Sequence, residues 1–206
     1  NYAVPGLLAG LGAMDALYLL TARGGDYLLL MQRFNAGLVV MALIALLIGR
    51  RVIPFFAMRA VHELSLPKQT ETGWVQLGAC AVGVLGLLLG QPMPTAFGLG
   101  LAGVLAIVHI VSWKPWAVRS NALLWILYVG YAGVGIGLML AAWAQVGLAL
   151  PRALPVHTIA MAGFSVLIIG MVTRTALGHT GRPLVTDRTM RTSYWLILIA
   201  VALRLA

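Results

Sequence analysis

The sequence predicts an all-α fold, a polytopic transmembrane helical bundle forming a single domain over residues 1–206. Three observations carry this expectation. Hydrophobic residues make up 61% of the chain and charged ones 9%, with a mean hydropathy of +0.97, too little charge to cover a soluble surface. Apolar runs recur at the length of about 20 residues that a helix needs to cross a hydrocarbon core about 30 Å thick. The runs are continuous, without the apolar/polar alternation over about 10 residues that marks a membrane β-barrel.

Hydropathy places about seven spans. The first, 3–21, holds the acid Asp15 and lacks the basic n-region and small-residue cleavage site of a signal peptide. The second, 27–48, carries Arg33 and follows the short link 22–26, so the two form a hairpin. The third, 74–91, ends in "GVLGLLLG", the fourth is 95–112, and the fifth, 121–146, contains "GYAGVGIG". Both glycine strings read as packing faces, because small residues let membrane helices approach closely. The sixth, 154–173, has His157 near its start, and the seventh, 193–206, is incomplete: its helix reaches roughly 21 Å, short of the core. That last run, and a first residue that is not Met, point to part of a longer membrane protein.

Charge sets the orientation. Connectors 49–73, 113–120 and 174–192 hold ten cations: Arg50, Arg51, Arg59, Lys68, Lys114, Arg119, Arg174, Arg182, Arg188 and Arg191. The alternate connectors hold Arg23 and Arg152. By the positive-inside rule the basic connectors, with Asn1 and His62, are cytoplasmic, and His157 lies near the outer face. This bias and the anionic lipid of the bilayer account for the net charge of +9, so no nucleic-acid partner is expected. Cys80 is the sole cysteine, which excludes an internal disulfide and leaves it a packing role.

Asp15 and Arg33 are costly in hydrocarbon, at least about 2.5–3.5 kcal/mol each on insertion scales, which favours pairing. They read either as a structural ion pair clamping the first hairpin or as the wall of an outer polar cavity with Tyr18, Gln32 and Asn35. The four histidines stand without HxH, HxxxH or CxxC spacing, so spacing alone supplies no metal site. His157 has Met161 one turn onward on the same face, a borderline and a soft ligand for copper, or an imidazole for haem iron. His109, in "AIVHIVSW", must face other helices, as a ligand or as a hydrogen-bonding residue. His62 reads as a solvated surface residue, and Met58 and Met161 as core filler in the bland alternative. His157 and His179 are about 33 Å apart along one helix and cannot share a metal. The "GHTGRP" turn either folds back under the bundle, so that Arg174 or Arg182 binds a carboxylate such as a haem propionate, or anchors helix ends at the membrane surface.

The strings "GRRVIPFF" at 49–56, "NALLWILYVGYAGVGIGLML" at 121–140 and "HTIAMAGFSVLIIGMVTRTALGHTGRPL" at 157–184 occur in an order that resembles the NnrS family of bacterial membrane proteins over most of the chain. The resemblance implies a bundle of about twelve spans in the bacterial inner membrane. It further implies haem and copper cofactors and a role in nitric oxide metabolism or resistance to nitrosative stress. Nitric oxide or a metal-nitrosyl species would then be a partner, as would the missing helices of a longer chain. Carried onto matching positions, it marks His157 and His179, and less distinctively His109, for metal. Arg174 and Arg182 become supporting charges that bind the cofactor, and Met161, by its spacing from His157, is counted with them as cofactor-binding. Tyr128 stands where relatives often have histidine, and Asp15 and Tyr18 where an Asn and His pair is expected.

No paired carboxylates, nucleophile with base or closed metal constellation is visible, so enzyme chemistry is left open. Two rivals belong to other classes: a secondary transporter built around Asp15 and Arg33, though without a visible inverted repeat, and a cofactor-free membrane assembly factor.

Overall fold

The computed structural model describes residues 3–68, 70–147, 150–151 and 153–206; Asn1 and Arg152, both used to orient the chain, lie outside them. The described residues form seven helices and no strand. They are α1 (Ala3–Gly24), α2 (Tyr27–Ala60), α3 (Glu71–Leu88), α4 (Pro92–Ser112), α5 (Ala122–Gln145), α6 (Ala153–His179) and α7 (Arg188–Leu205). The first six are long and apolar enough to cross a membrane, so the chain is a multi-pass membrane protein. The run expected as a seventh span sits in α7, which starts at Arg188 rather than 193. Its helix carries Arg188, Arg191 and Arg204, three charges that keep it out of the same class.

Local chemistry explains where the helices start and stop. Gly25 adopts φ +73° between α1 and α2, a conformation that suits glycine, and the Asp26 carboxylate caps α2 by accepting from the Leu29 N–H at 3.0 Å. Between α3 and α4, Gly90 at φ +65° closes a Schellman turn: Gln91 N–H donates to Gly86 C=O at 2.8 Å and Gly90 N–H to Leu87 C=O at 3.2 Å. Pro92 then opens α4, where its missing N–H is no loss. Asn121 and Asp187 cap α5 and α7 through their side-chain oxygens.

Two helices overrun their expected spans. α2 is 34 residues long, about 51 Å against a core of about 30 Å, so the segment expected to be connector from residue 49 is helix as far as Ala60. Hydropathy falls at Gly49-Arg50-Arg51, but the buried stripe of Leu46, Arg50, Ile53 and Ala57 keeps helical spacing. α6 likewise runs on to His179.

α5 is the hub. One side packs on α4, where a Cβ at Gly135 would come within 2.8 Å of Ala106 Cβ. The other side packs on α6, where a Cβ at Gly133 would collide with the Ala162 carbonyl. Opposite Gly133 and Gly137, α6 widens into a π-helical segment, Thr158–Ser165, and Ser165 Oγ donates to Ala160 C=O at 3.1 Å, five residues back. α1 packs on α2 and buries little of its own surface. The basic ends of α2, α4 and α6 lie together, and the α1–α2 link and α3–α4 turn lie at the opposite end. Exposed apolar side chains such as Leu85, Phe97, Ile168 and Leu203 face outward, as lipid contact requires.

Gly133→Ala is expected to destabilise the bundle by about 1–3 kcal/mol through overpacking against α6. Gly78→Ala, with open space at its Cβ, serves as the control and should leave the melting temperature in detergent unchanged or slightly raised. Equal melting of both variants and wild type would show that the α5–α6 contact is not tight.

Candidate functional site

The candidate histidines are dispersed. His157 sits on α6 just before the π-helical segment, and Arg204 of α7 lies against it, Nη2 to Nε2 at 2.6 Å. A guanidinium carries only donors, so Arg204 donates and His157 accepts, which leaves the imidazole proton on Nδ1. Met161 is partly buried against the core. His179 is the exposed last residue of α6, roughly 33 Å from His157 along the helix. His109 is fully buried on α4, its Nε2 3.1 Å from Thr72 Oγ1 and its ring stacked on Trp113 with centroids 5.9 Å apart. Among the described residues no group of three or more His, Cys, Asp and Glu side chains could hold a metal ion.

The "GHTGRP" segment does not fold under the bundle. It is the end of α6, closed by a Schellman turn: Arg182 N–H donates to Leu177 C=O at 3.0 Å and Gly181 N–H to Gly178 C=O at 3.3 Å, with Gly181 at φ +66°. Gly181 supplies the left-handed residue, whereas Gly178 stays helical with open space around it. Arg182 is exposed beside His179. Arg174, a turn earlier, is buried with its guanidinium 4.0 Å over the Phe56 ring, a cation–π contact that ties α6 to the projecting part of α2.

No ion pair joins Asp15 and Arg33 among the described residues. Asp15 is exposed on α1 and Arg33 half-buried on α2, its Nε buried without a hydrogen-bond partner. The hairpin instead closes where Gly37 approaches Met14, at 3.7 Å from a built Cβ to the Met14 Cβ. Two of the residues expected with them, Gln32 and Asn35, do line a groove of about 480 Å³ at the end opposite the basic one, together with Gln91, Thr95 and Gln145. Tyr18, Asp15 and Arg33 are not part of its lining.

Beneath the basic end lies a buried polar cluster that the sequence reading missed apart from His109. Tyr131 Oη donates to Gln76 Oε1 at 3.2 Å, and Gln76 Nε2 donates to Ala102 C=O at 3.1 Å, joining α5, α3 and α4. Tyr128 Oη donates to Trp113 C=O at 3.1 Å, and the Trp113 ring packs on Tyr131 at 5.1 Å. Arg50 of α2 is buried within electrostatic range of His109 and Tyr131. A signal was available: Gln76 stands in the buried stripe Gly73, Leu77, Cys80 and Val84 of α3, and a polar residue on such a stripe needs a partner from another helix.

Tyr131→Phe strands Gln76 Oε1 in the interior and should cost about 1–3 kcal/mol. Adding Gln76→Leu should recover part of that loss, read as the melting temperature of the single and double variants in detergent. Strictly additive losses would mean that the two side chains do not interact.

Comparison with known proteins matches the chain to the NnrS protein family over residues 1–206. No curated protein and no solved structure matches it. With the match running the whole length of a chain that folds as a multi-pass helical bundle, the protein belongs to the NnrS family.

Proposed function

We propose that the protein acts in the response of the bacterial inner membrane to nitric oxide, as a haem- and copper-associated protein with its basic connectors in the cytoplasm. The observation that carries this reading is the family match over residues 1–206. The clustering of basic residues at one end of the bundle supports the orientation.

The described residues fit the two cofactors differently. A haem needs a single axial imidazole from the protein, and His157 fits that need best: it is half-buried on α6, and Arg204, its present partner, is exposed. His179 is a second single ligand at the other end of α6, with Arg182 beside it for a carboxylate. His109 fits less well, since the Arg50 charge nearby opposes a metal cation. Copper needs several ligands converging on one point, and the described residues offer no such group, so its site needs ligands from outside them. Haem, when bound, supplies redox-active iron; the chain's own residues hold it, orient it and set the protonation of the imidazole.

A second reading is favoured by the groove around Gln32 and Asn35: its mainly apolar lining with a few amide groups and no charge suits a small neutral solute, which would make the protein a transporter. One experiment separates the two. Full-length protein purified in detergent is expected to show a Soret absorption band, lost in His157→Ala, largely kept in His179→Ala, and kept or strengthened in Arg204→Gln. A folded wild type that is colourless and free of metal would overturn the cofactor reading and favour the transporter.

A further inference from the structure

A groove of about 260 Å³ runs along the face that α2, α5 and α6 share, apart from the candidate histidines and from the groove around Gln32 and Asn35. Ile44, Ile48 and Val52 of α2 line one wall, Leu167 and Met171 of α6 the other, and fully buried Leu127 of α5 the floor. Every lining residue is apolar. Ile48 and Ile168 at its margins are exposed, so in a membrane the groove opens sideways to lipid.

Its basic end is closed by a cation. α2 and α6 both run toward that end, and one turn beyond Val52 and Met171 stand Phe56 and Arg174, the guanidinium 4.0 Å over the ring. Arg174 is 7% exposed, yet among the described residues no carboxylate pairs with it and no group accepts a hydrogen bond from it. Its nitrogens are not sealed in as Arg33 Nε is. The ring covers one face of the guanidinium and leaves the N–H groups around its edge, and a charge this deep in the chain needs a partner. Depth says where that partner sits. The apolar run 154–173 is about 30 Å of helix, the thickness of the hydrocarbon core, and ends immediately before Arg174. Arg174 is therefore at headgroup level, and the groove residues on α2 and α6 all lie on its hydrocarbon side.

We propose that this groove holds an acyl chain of an anionic phospholipid whose phosphate accepts hydrogen bonds from Arg174. From Met41 to Val52 the α2 wall is about 17 Å long, enough for a chain that fills half of a core about 30 Å thick. The phosphate oxygens match the planar fork of a guanidinium. A free anion would leave the groove empty, and a zwitterionic lipid brings a cation of its own beside Arg174, so the two features together select an anionic lipid. The site uses no cofactor.

The test is native mass spectrometry of the full-length protein in detergent with phosphatidylglycerol and phosphatidylcholine supplied together. Wild type is expected to retain phosphatidylglycerol preferentially, and Arg174→Gln should lower that preference roughly fivefold. Arg119→Gln removes the same charge from an exposed position outside the groove and should leave the preference unchanged. Ala45→Phe fills the groove without touching Arg174 and should reduce retention of both lipids. It keeps the proposal testable if Arg174→Gln does not fold, and melting temperatures matching wild type identify the folded variants. No preference in wild type, equal loss in Arg174→Gln and Arg119→Gln, or full retention in folded Ala45→Phe would overturn the proposal. Displacement of the lipid by millimolar inorganic phosphate would overturn it in favour of a soluble anion at Arg174.

Discussion

Backbone contact at the glycines of α5 governs the rest of this bundle, because hydrocarbon gives apolar helices no reason to leave lipid for one another. What lipid chains cannot match is the dense contact between two helix backbones with no side chain between them. α5 makes such contacts on two sides, toward α4 through Gly135 and toward α6 through Gly133. The hydrogen bonds between helices depend on that approach. Gln76 of α3 can reach both Tyr131 Oη and the Ala102 carbonyl because α3, α4 and α5 are already within a few ångströms of one another.

The same approach explains the irregular part of α6. A regular helix would carry its carbonyls at fixed intervals past Gly133 and Gly137; the π-helical turn of Thr158–Ser165 shifts the register along this contact, and such segments are frequent at functional sites. His157 stands at the boundary of this segment. His157 thus borders the α5–α6 contact, and its imidazole meets Arg204 of α7, which carries three arginines and packs on α6.

Much of the fold was legible in the sequence for a simple physical reason: about 20 apolar residues in a row have few alternatives to crossing a bilayer. What hydropathy averages cannot register is a helix that continues past the membrane edge, since the same helical spacing persists while composition turns polar. Arg50 and Arg174 were lost to the connectors for that reason, yet both are buried and stack on aromatic rings of neighbouring segments. The "GHTGRP" string was chemically conspicuous but locally determined, because a glycine just past a helix end followed by proline is sufficient for a Schellman turn. The clamp read from Asp15 and Arg33 failed to form because helix crossing is set by where small residues fall, here Gly37 against Met14, and that geometry turns Asp15 outward.

The two ends of the bundle consequently differ in kind. At the basic end, aromatic rings, Gln76 and His109 fill the interior, and the buried cations Arg50 and Arg174 each lie over a ring face, of Trp74 and Phe56 respectively. A ring face attracts a cation and, by packing on it, lets a guanidinium stay inside the helix bundle. At the other end the helices splay enough to leave the groove around Gln32 and Asn35, whose lining is amide, hydroxyl and apolar surface without a charge. Most of the charge of the bundle is thus gathered at one end, while the groove at the other has no charged residue in its lining.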